Sequence, residues 1–421
     1  MKRILIVNSN SININNATGI TLQSIFSEIE AEKLMEIYWN ENSNLNKKLK
    51  INSKVLKYRA FTFGRIFSNN KSKKISTSIK SSTENGPQRN GGLRTIIKYL
   101  RQFISLQVDL SAVKITKKDT QEIIRFKPEV IYTLGGGVAS LKVSYFLSKK
   151  LNIPVVVHFM DNWRHHIQWE NNPLLRGYKR KLDKYCNLCY SRSKRCIAIS
   201  PKMAEVYTEE TGIKHSYIMN SVKVADYICA PKENDGVINF VYAGGLHLGR
   251  NKALLDIANI IDELSKSKNK NAKLLIYTSK ENADLYSKEF VHFKNTSFLP
   301  SVAHEEIKTV YDNADVLVHI ESDALVGNGF FKYSISTKIP EYLATGKQML
   351  FYGPSDIYLY SFLKENSLAV VSNNKEDLFE KIISLTDENK IGVCENAIKY
   401  AQENFDVAAA VRNFCSVLEN C

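Results

Sequence analysis

Cysteine is scarce, and what there is does not come in pairs. Seven cysteines in 421 residues are an odd number for a disulfide framework, and reduced thiols in the cytoplasm fit them better. Cys186-Asn-Leu-Cys189 has metal-like spacing, but no second Cys/His pair lies at a suitable distance, so it reads as two thiols on a buried helix. No apolar run approaches the ~20 residues that span a bilayer. The opening Met1–Val7 is too short for a signal peptide and runs at once into polar Asn8–Ser11, which suits a buried first strand. One stretch has almost no acid. Between Lys47 and Lys118 stand eighteen Lys/Arg against Glu84 and Asp109. The net charge is +15, so the other parts of the chain are close to neutral. A basic block of that kind attracts a polyanion or an anionic membrane surface.

What is present is strand–helix alternation over nearly the whole length. Short apolar runs at Ile4–Asn8, Glu36–Trp39, Val130–Thr133, Val155–His158, Cys196–Ile199 and Ser216–Ile218 form one series. Phe240–Ala243, Leu274–Tyr277, Thr296–Phe298, Val316–His319, Gln348–Phe351 and Ala369–Val371 form a second. Helical patterns lie between most of them. Such alternation predicts parallel sheets covered on both faces. Two series predict two Rossmann-like, doubly wound α/β domains in tandem. A polar, turn-rich break at Asn220–Gly236 separates them. The expected division is 1–221, 222–400 and a C-terminal helix 401–421 packing back on the first domain. Within 47–118, Leu49–Phe63 and Leu93–Leu106 read as basic helices and Phe67–Gly92 as a mobile loop.

Four stretches carry chemistry. Lys332-Tyr-Ser-Ile-Ser-Thr-Lys-Ile-Pro-Glu-Tyr-Leu-Ala-Thr-Gly-Lys347 predicts a two-turn helix starting near Thr337, with Ser336 and Thr337 as capping types, Pro340 in the first turn and Gly346 at the end. Free N–H groups and Lys338 there would attract an anion, and Glu341 could accept two hydrogen bonds from a ribose diol. An ordinary capped helix with a surface Lys and Glu fits the same residues. Val241-Tyr-Ala-Gly-Gly-Leu-His-Leu-Gly-Arg-Asn-Lys252 follows the second domain's first strand. Gly244 and Gly245 allow close backbone approach to a phosphate, and Arg250 and Lys252 would neutralise a diphosphate. A tight turn with surface cations is the plainer alternative. His158, Asp161 and Trp163 sit at a strand's carboxyl end, the edge where doubly wound sheets bind ligands. In Asn15-Asn-Ala-Thr-Gly-Ile20, only Gly19 is suggestive.

Taken together, these stretches resemble, in order, the family 4 glycosyltransferases, retaining enzymes of the two-domain GT-B fold. The loop holding Gly19 resembles the family's first glycine loop, and His158–Trp163 its strand-end His/Asp motif. Tyr242–Leu246 with Arg250 and Lys252 resembles its phosphate site. Ser336–Gly346 is similar to the Ser-Lys-x-x-Glu-Tyr-x-Ala-x-Gly form of its donor motif.

The resemblance implies a cleft between the two domains and C-terminal helices crossing back. It implies that Arg250, Lys252 and the amides around Thr337 and Lys338 grip a donor diphosphate. Glu341 would hold the ribose, and the backbone near Ser301 would meet the base. His158 and Asp161 would face the transferred sugar and acceptor as catalytic residues. The family often has a glutamate eight positions before Glu341. Here that position is Tyr333, so the sugar-contacting glutamate is either missing or replaced by Glu321 or Asp323.

The expected reaction is retaining transfer from a UDP-sugar to a lipid-linked saccharide or surface-glycan precursor (lipopolysaccharide or capsule) in a bacterium. No metal and no cofactor are expected. Segment 47–118 would meet an anionic membrane, giving a cytoplasmic, peripherally bound enzyme without a nucleic-acid partner. Two alternatives stand beside this reading. One is a GT-B sugar-nucleotide epimerase or hydrolase. The other is a nucleic-acid-binding protein using 47–118.

Overall fold

A computed structural model describes residues 1–13, 17–40, 49, 51–59, 106, 109–110, 112–165, 175–230, 235–267, 271–322, 329, 331–386 and 394–421. Most of the basic segment 47–118, including the stretches read as loop and second helix, lies outside these residues. The chain forms two units, Met1–Ser221 with Val407–Cys421, and Val222–Asp406. Residues 401–406, expected in the last helical piece, therefore belong to the second unit.

The first unit is built on β1 (Ile4–Val7), β2 (Leu34–Tyr38), β3 (Asn52–Val55), β6 (Val130–Leu134), β7 (Val155–Phe159), β8 (Arg195–Ala198) and β9 (Lys214–Tyr217). They form one sheet in the order β3-β2-β1-β6-β7-β8-β9, every pair parallel. A separate antiparallel ribbon joins β4 (Lys57–Arg59) to β5 (Ala112–Lys114). The helix expected over Leu49–Phe63 is thus replaced by strands at 52–55 and 57–59. An edge strand with one covered side keeps polar residues, so it lacks the apolar run that marks a central strand.

Helices α1 (Ala17–Phe26), α2 (Val138–Leu151) and α3 (Arg176–Tyr190) belong to this unit. The C-terminal helix Val407–Glu419 packs against α1 and β8. Its Phe414 meets Phe26 and Tyr132 edge-on at 5.3 and 5.5 Å between ring centres. Lys2 Nζ donates to the Leu418 carbonyl at 2.7 Å.

The second unit has β10 (Ile238–Ala243), β11 (Ala272–Thr278), β12 (Thr296–Pro300), β13 (Val316–Ile320), β14 (Gln348–Tyr352) and β15 (Val370–Ser372). The order is β12-β11-β10-β13-β14-β15, again wholly parallel. Apolar runs in β10, β11 and β13 are buried against α4 (Arg250–Ser267). In both sheets the first strand is flanked by its successor on one side and a later strand on the other. The strand order reverses there, the place where loops of open α/β sheets diverge and leave a crevice at the carboxyl edge. In the second unit that crevice lies beyond Ala243 and Ile320.

Candidate functional site

Arg250 opens α4 after a turn that the backbone makes at some cost. Leu248 (φ 64°) and Gly249 (φ 82°) are both left-handed, a conformation that disfavours a side chain such as leucine. The Ser322 hydroxyl donates to the Leu248 carbonyl and ties this turn to the end of β13. The turn aims Arg250 across the crevice. Its Nε donates to the Ile320 carbonyl at 3.2 Å and its Nη2 to Glu321 Oε2 at 2.7 Å.

Glu321 is engaged on both oxygens, because Oε1 lies 3.2 Å from His319 Nε2. His319 and Glu321 are two apart on an extended segment, which puts them on one face. Burial works to raise the Glu321 carboxyl, but the His319 hydrogen bond and the Arg250 charge outweigh it and pull it down to about 2. Burial lowers His319, so it is a neutral donor here.

Lys338 begins α5 (Lys338–Thr345). Its amine donates to the Ala243 carbonyl and lies 5.7 Å from the centre of the Tyr242 ring. Burial, and then the Arg250 charge, bring its pKa down to about 8 against the opposing pull of Glu341 and Glu321. Glu341, one turn on, is 7% exposed. The Tyr311 hydroxyl donates to its Oε2 at 2.6 Å, and Oε1 lies 4.0 Å from His304. Burial raises its pKa.

The structure therefore brings Arg250, Lys338 and Glu341 together, with Glu321 among them. Several expectations need correction. Lys252 is exposed on the first turn of α4, and its backbone N–H donates to the Gly249 carbonyl at 3.1 Å. The N–H of Gly244 is taken by the Tyr277 carbonyl at 2.9 Å, so it is not offered to a phosphate. What Gly244 supplies is room, since a Cβ there would sit 2.4 Å from Lys338 Nζ. The carbonyl of Gly245 accepts from the Tyr242 hydroxyl at 2.7 Å.

Ser301 is exposed, and its N–H donates to the Thr278 carbonyl at 2.9 Å, which removes one of the groups expected to meet a base. Thr337 stands at the N-cap without capping through its side chain. The amide of Ile339 is taken by the Ser336 carbonyl at 3.0 Å, that of Lys338 lies 3.5 Å from Ser336 Oγ, and Pro340 has none. The positive character of this corner thus comes mainly from two side chains.

In the first unit, Asp161 follows β7. Its carboxyl has no hydrogen-bond or ionic partner among the described residues, and burial alone raises it to about 7. Asn162 beside it is anchored by the Tyr207 hydroxyl at 3.0 Å. His158 does not join it. Its ring is 0% exposed, bonded through Nδ1 to the Tyr132 hydroxyl at 2.7 Å, and burial drives its pKa to about 3. So enclosed, the ring packs as part of the core at the strand end.

Gly19 lies within α1, not in a loop. A Cβ there would come 1.7 Å from the Asn13 carbonyl oxygen, so its lack of a side chain serves packing. Asp323 lies outside the described residues. Cys186 and Cys189 are buried on α3, as two inert thiols would be.

Sequence reading missed three features. One is the Glu321–His319 pair as Arg250's partner. Another is Tyr311 as Glu341's. The third is Gly135-Gly-Gly137, a strand–glycine–helix turn ahead of α2. In that turn Asp109 Oδ2 accepts from the Val138 amide at 2.7 Å and from the Tyr178 hydroxyl at 2.8 Å. The glycine run alone was a usable signal.

No protein-family profile and no curated protein sequence matches the chain. Solved structures do match it over nearly their full length. Sucrose-phosphate synthase from Thermosynechococcus elongatus has a TM-score of 0.60 at 10% identity, covering 99% of this chain and 98% of that one. The lipopolysaccharide outer core galactosyltransferase WaaB has 0.57 at 12%, covering 99% of each. A protein described as a UDP-N-acetylglucosamine 2-epimerase from Listeria monocytogenes has 0.52 at 8%, covering 100% and 96%. At such identities the likeness shows the fold: two tandem parallel-sheet α/β domains of the GT-B type.

Proposed function

We propose that this GT-B chain is a glycosyltransferase that moves a sugar from a UDP-sugar to a saccharide acceptor of a cell-surface glycan, lipid-linked in the native reaction. The observation that carries the reading is the pair of cations, Arg250 and Lys338, at the carboxyl edge of the second unit's sheet where its strand order reverses. A diphosphate is the ligand such a pair suits, with the guanidinium as a fork and the ammonium as a point charge. As the sugar–phosphate bond breaks, charge grows on the leaving diphosphate, and fixed cations stabilise it most in that state. Glu341 keeps Oε1 outside its Tyr311 bond, which suits a ribose hydroxyl. Asp161, a lone carboxyl near neutrality, takes the acceptor side, where it accepts a hydrogen bond from the attacking hydroxyl.

Retention of anomeric configuration and independence from metal belong to the same proposal and follow from the resemblance. The two cations supply the charge that a metal would otherwise supply. Thermal-shift measurements with UDP-, GDP-, ADP- and CMP-sugars test the whole reading, since a ligand of the folded state raises its melting temperature. A rise with UDP-sugars that vanishes in Arg250→Ala and Lys338→Ala is expected. No rise with any nucleotide-sugar would sink the proposal. A chelator is expected to leave nucleotide release unchanged.

Membrane docking through 47–118 is part of the proposal too. No described helix is long and apolar enough to cross a membrane. Arg176, Arg180, Lys181 and Lys184 are exposed on α3, and Phe146 on α2 is 52% exposed, which supports an anionic surface as partner. Stronger sedimentation with anionic than with neutral vesicles is the expected result. The epimerase likeness favours a second reading, in which donor turns over with no acceptor present. Product analysis without acceptor separates the two.

A further inference from the structure

The missing family glutamate leaves open what Glu321 does, and the geometry answers differently from a sugar contact. Both its oxygens are in use, one on Arg250 at 2.7 Å and one on His319 at 3.2 Å. Its side chain is 11% exposed and that of Arg250 19%. A carboxylate held on both sides is poorly placed to meet a sugar hydroxyl and well placed to fix a guanidinium.

We propose that Glu321 is the positioning residue of this corner: it holds Arg250 in place and, together with Glu341, sets negative charge against the two cations. The inference rests on the reading of Arg250 and Lys338 as the diphosphate grip.

The argument is one of charge balance in a buried place. Two cations share the crevice with two carboxylates. Among the described residues, the groups that bear on the Lys338 amine are Arg250 from α4, Glu321 and His319 at the end of β13, Tyr242 from β10, and Glu341 from its own helix. Glu341 pulls on Lys338 more strongly than Glu321 does, but it is partly spent on Tyr311, and burial favours its neutral form. Glu321 stays ionised throughout the working range. It is therefore the anion that offsets Arg250.

Without Glu321, the guanidinium would repel the ammonium with less to offset it in a poorly solvated site, and the amine would hold its proton less firmly. The arrangement has a second use. Arg250 is already desolvated and oriented before the ligand arrives, so less ordering is required at binding. His319 completes the device by satisfying the second oxygen from a neutral ring.

Lys338 loses its charge as pH rises through its midpoint near 8, so the grip on a diphosphate weakens above that pH. Removing Glu321 moves the loss to lower pH. Competitive acetylation across neutral to alkaline pH, read by mass spectrometry, reports the Lys338 midpoint directly. Calorimetry with UDP reports the grip.

In Glu321→Gln the Lys338 midpoint is expected to fall, with Glu341 still in place to limit the drop. UDP affinity at neutral pH is expected to fall about tenfold or more, with partial recovery at lower pH. His319→Gln keeps a donor to Glu321 and is expected to leave the midpoint unchanged. Should Glu321→Gln fail to fold, Glu321→Asp serves. It keeps the charge while retreating from Arg250, so the midpoint is expected to hold while UDP affinity falls. A Lys338 midpoint in Glu321→Gln equal to the wild type would overturn the proposal, as would a full drop in Glu321→Asp. If UDP does not bind the wild type, the donor reading fails, while the titration of Lys338 still tests the charge argument by itself.

Discussion

The two units place carboxylates at corresponding sheet edges and treat them in opposite ways. Glu321, beyond β13, is buried beside an arginine and a histidine and is held near 2. Asp161, beyond β7, is half-buried with no compensating partner among the described residues and is raised to about 7. The desolvation penalty acts in the same direction on both. What differs is whether a partner outweighs it. One edge is thereby committed to fixed charge, suited to gripping an anion. The other has a group that exchanges its proton near neutrality, suited to meeting a hydroxyl.

The strongest way to break this contrast is to strip the compensation. Arg250→Ala takes from Glu321 the cation it is bonded to, and loss of one partner of such a pair costs about 3–5 kcal/mol. A lower melting temperature and loss of UDP binding are expected, by scanning calorimetry and titration calorimetry. Recovery of stability in the double variant Arg250→Ala/Glu321→Gln would show that the unpaired carboxylate was the cause.

Next in size is the uncompensated side. The folded-state pKa of Asp161 lies above its unfolded value, so its contribution is fully present below the unfolded pKa near 4 and is lost as pH rises through about 7. Asp161→Asn should therefore be more stable than the wild type at alkaline pH, by about 1–3 kcal/mol, and equal to it in acid. Denaturant melts at the two pH values check this, and an equal gain at both would refute it. The same variant is expected to lower turnover without weakening UDP binding.

The smallest effect sharpens the grip itself. Gly244→Ala puts a methyl group 2.4 Å from the Lys338 amine. The amine sits at the end of a flexible chain and shifts aside, so stability should change by less than ~1 kcal/mol. UDP affinity should fall several-fold. Gly19→Ala is the contrasting control, because its methyl meets a backbone carbonyl at 1.7 Å, and it should reduce stability much more.

The architecture was legible because central parallel strands announce themselves. Ile4–Val7, Val155–Phe159 and Val316–Ile320 are wholly buried, so nearly all their positions are apolar and each histidine among them has a hydrogen-bond partner. The short helix α5 was legible from Pro340 and Gly346, which obey local rules. Strands β3 and β4 were not, because Asn52–Val55 and Lys57–Arg59 lack the apolar pattern.

In the candidate site, the cations could be named from their loops, but their partners could not. Glu321 lies 71 positions from Arg250, and Tyr311 lies 30 from Glu341. Only the folded sheet decides which side chains share a crevice. His158 misled for the same reason. A strand-end histidine looks reactive in one dimension, and only the packing of Tyr132 against it reveals a core residue.

The C-terminal helix bears on how the chain is made. Phe414 completes the apolar layer around Phe26 and Tyr132, so the first unit cannot finish its core until residues 407–421 have been made. The second unit, Val222–Asp406, is contiguous and can mature while its older neighbour waits, half built, for the tail. Removing residues 407–421 should accordingly damage the amino-terminal half of the molecule and spare the half to which the helix is joined in sequence.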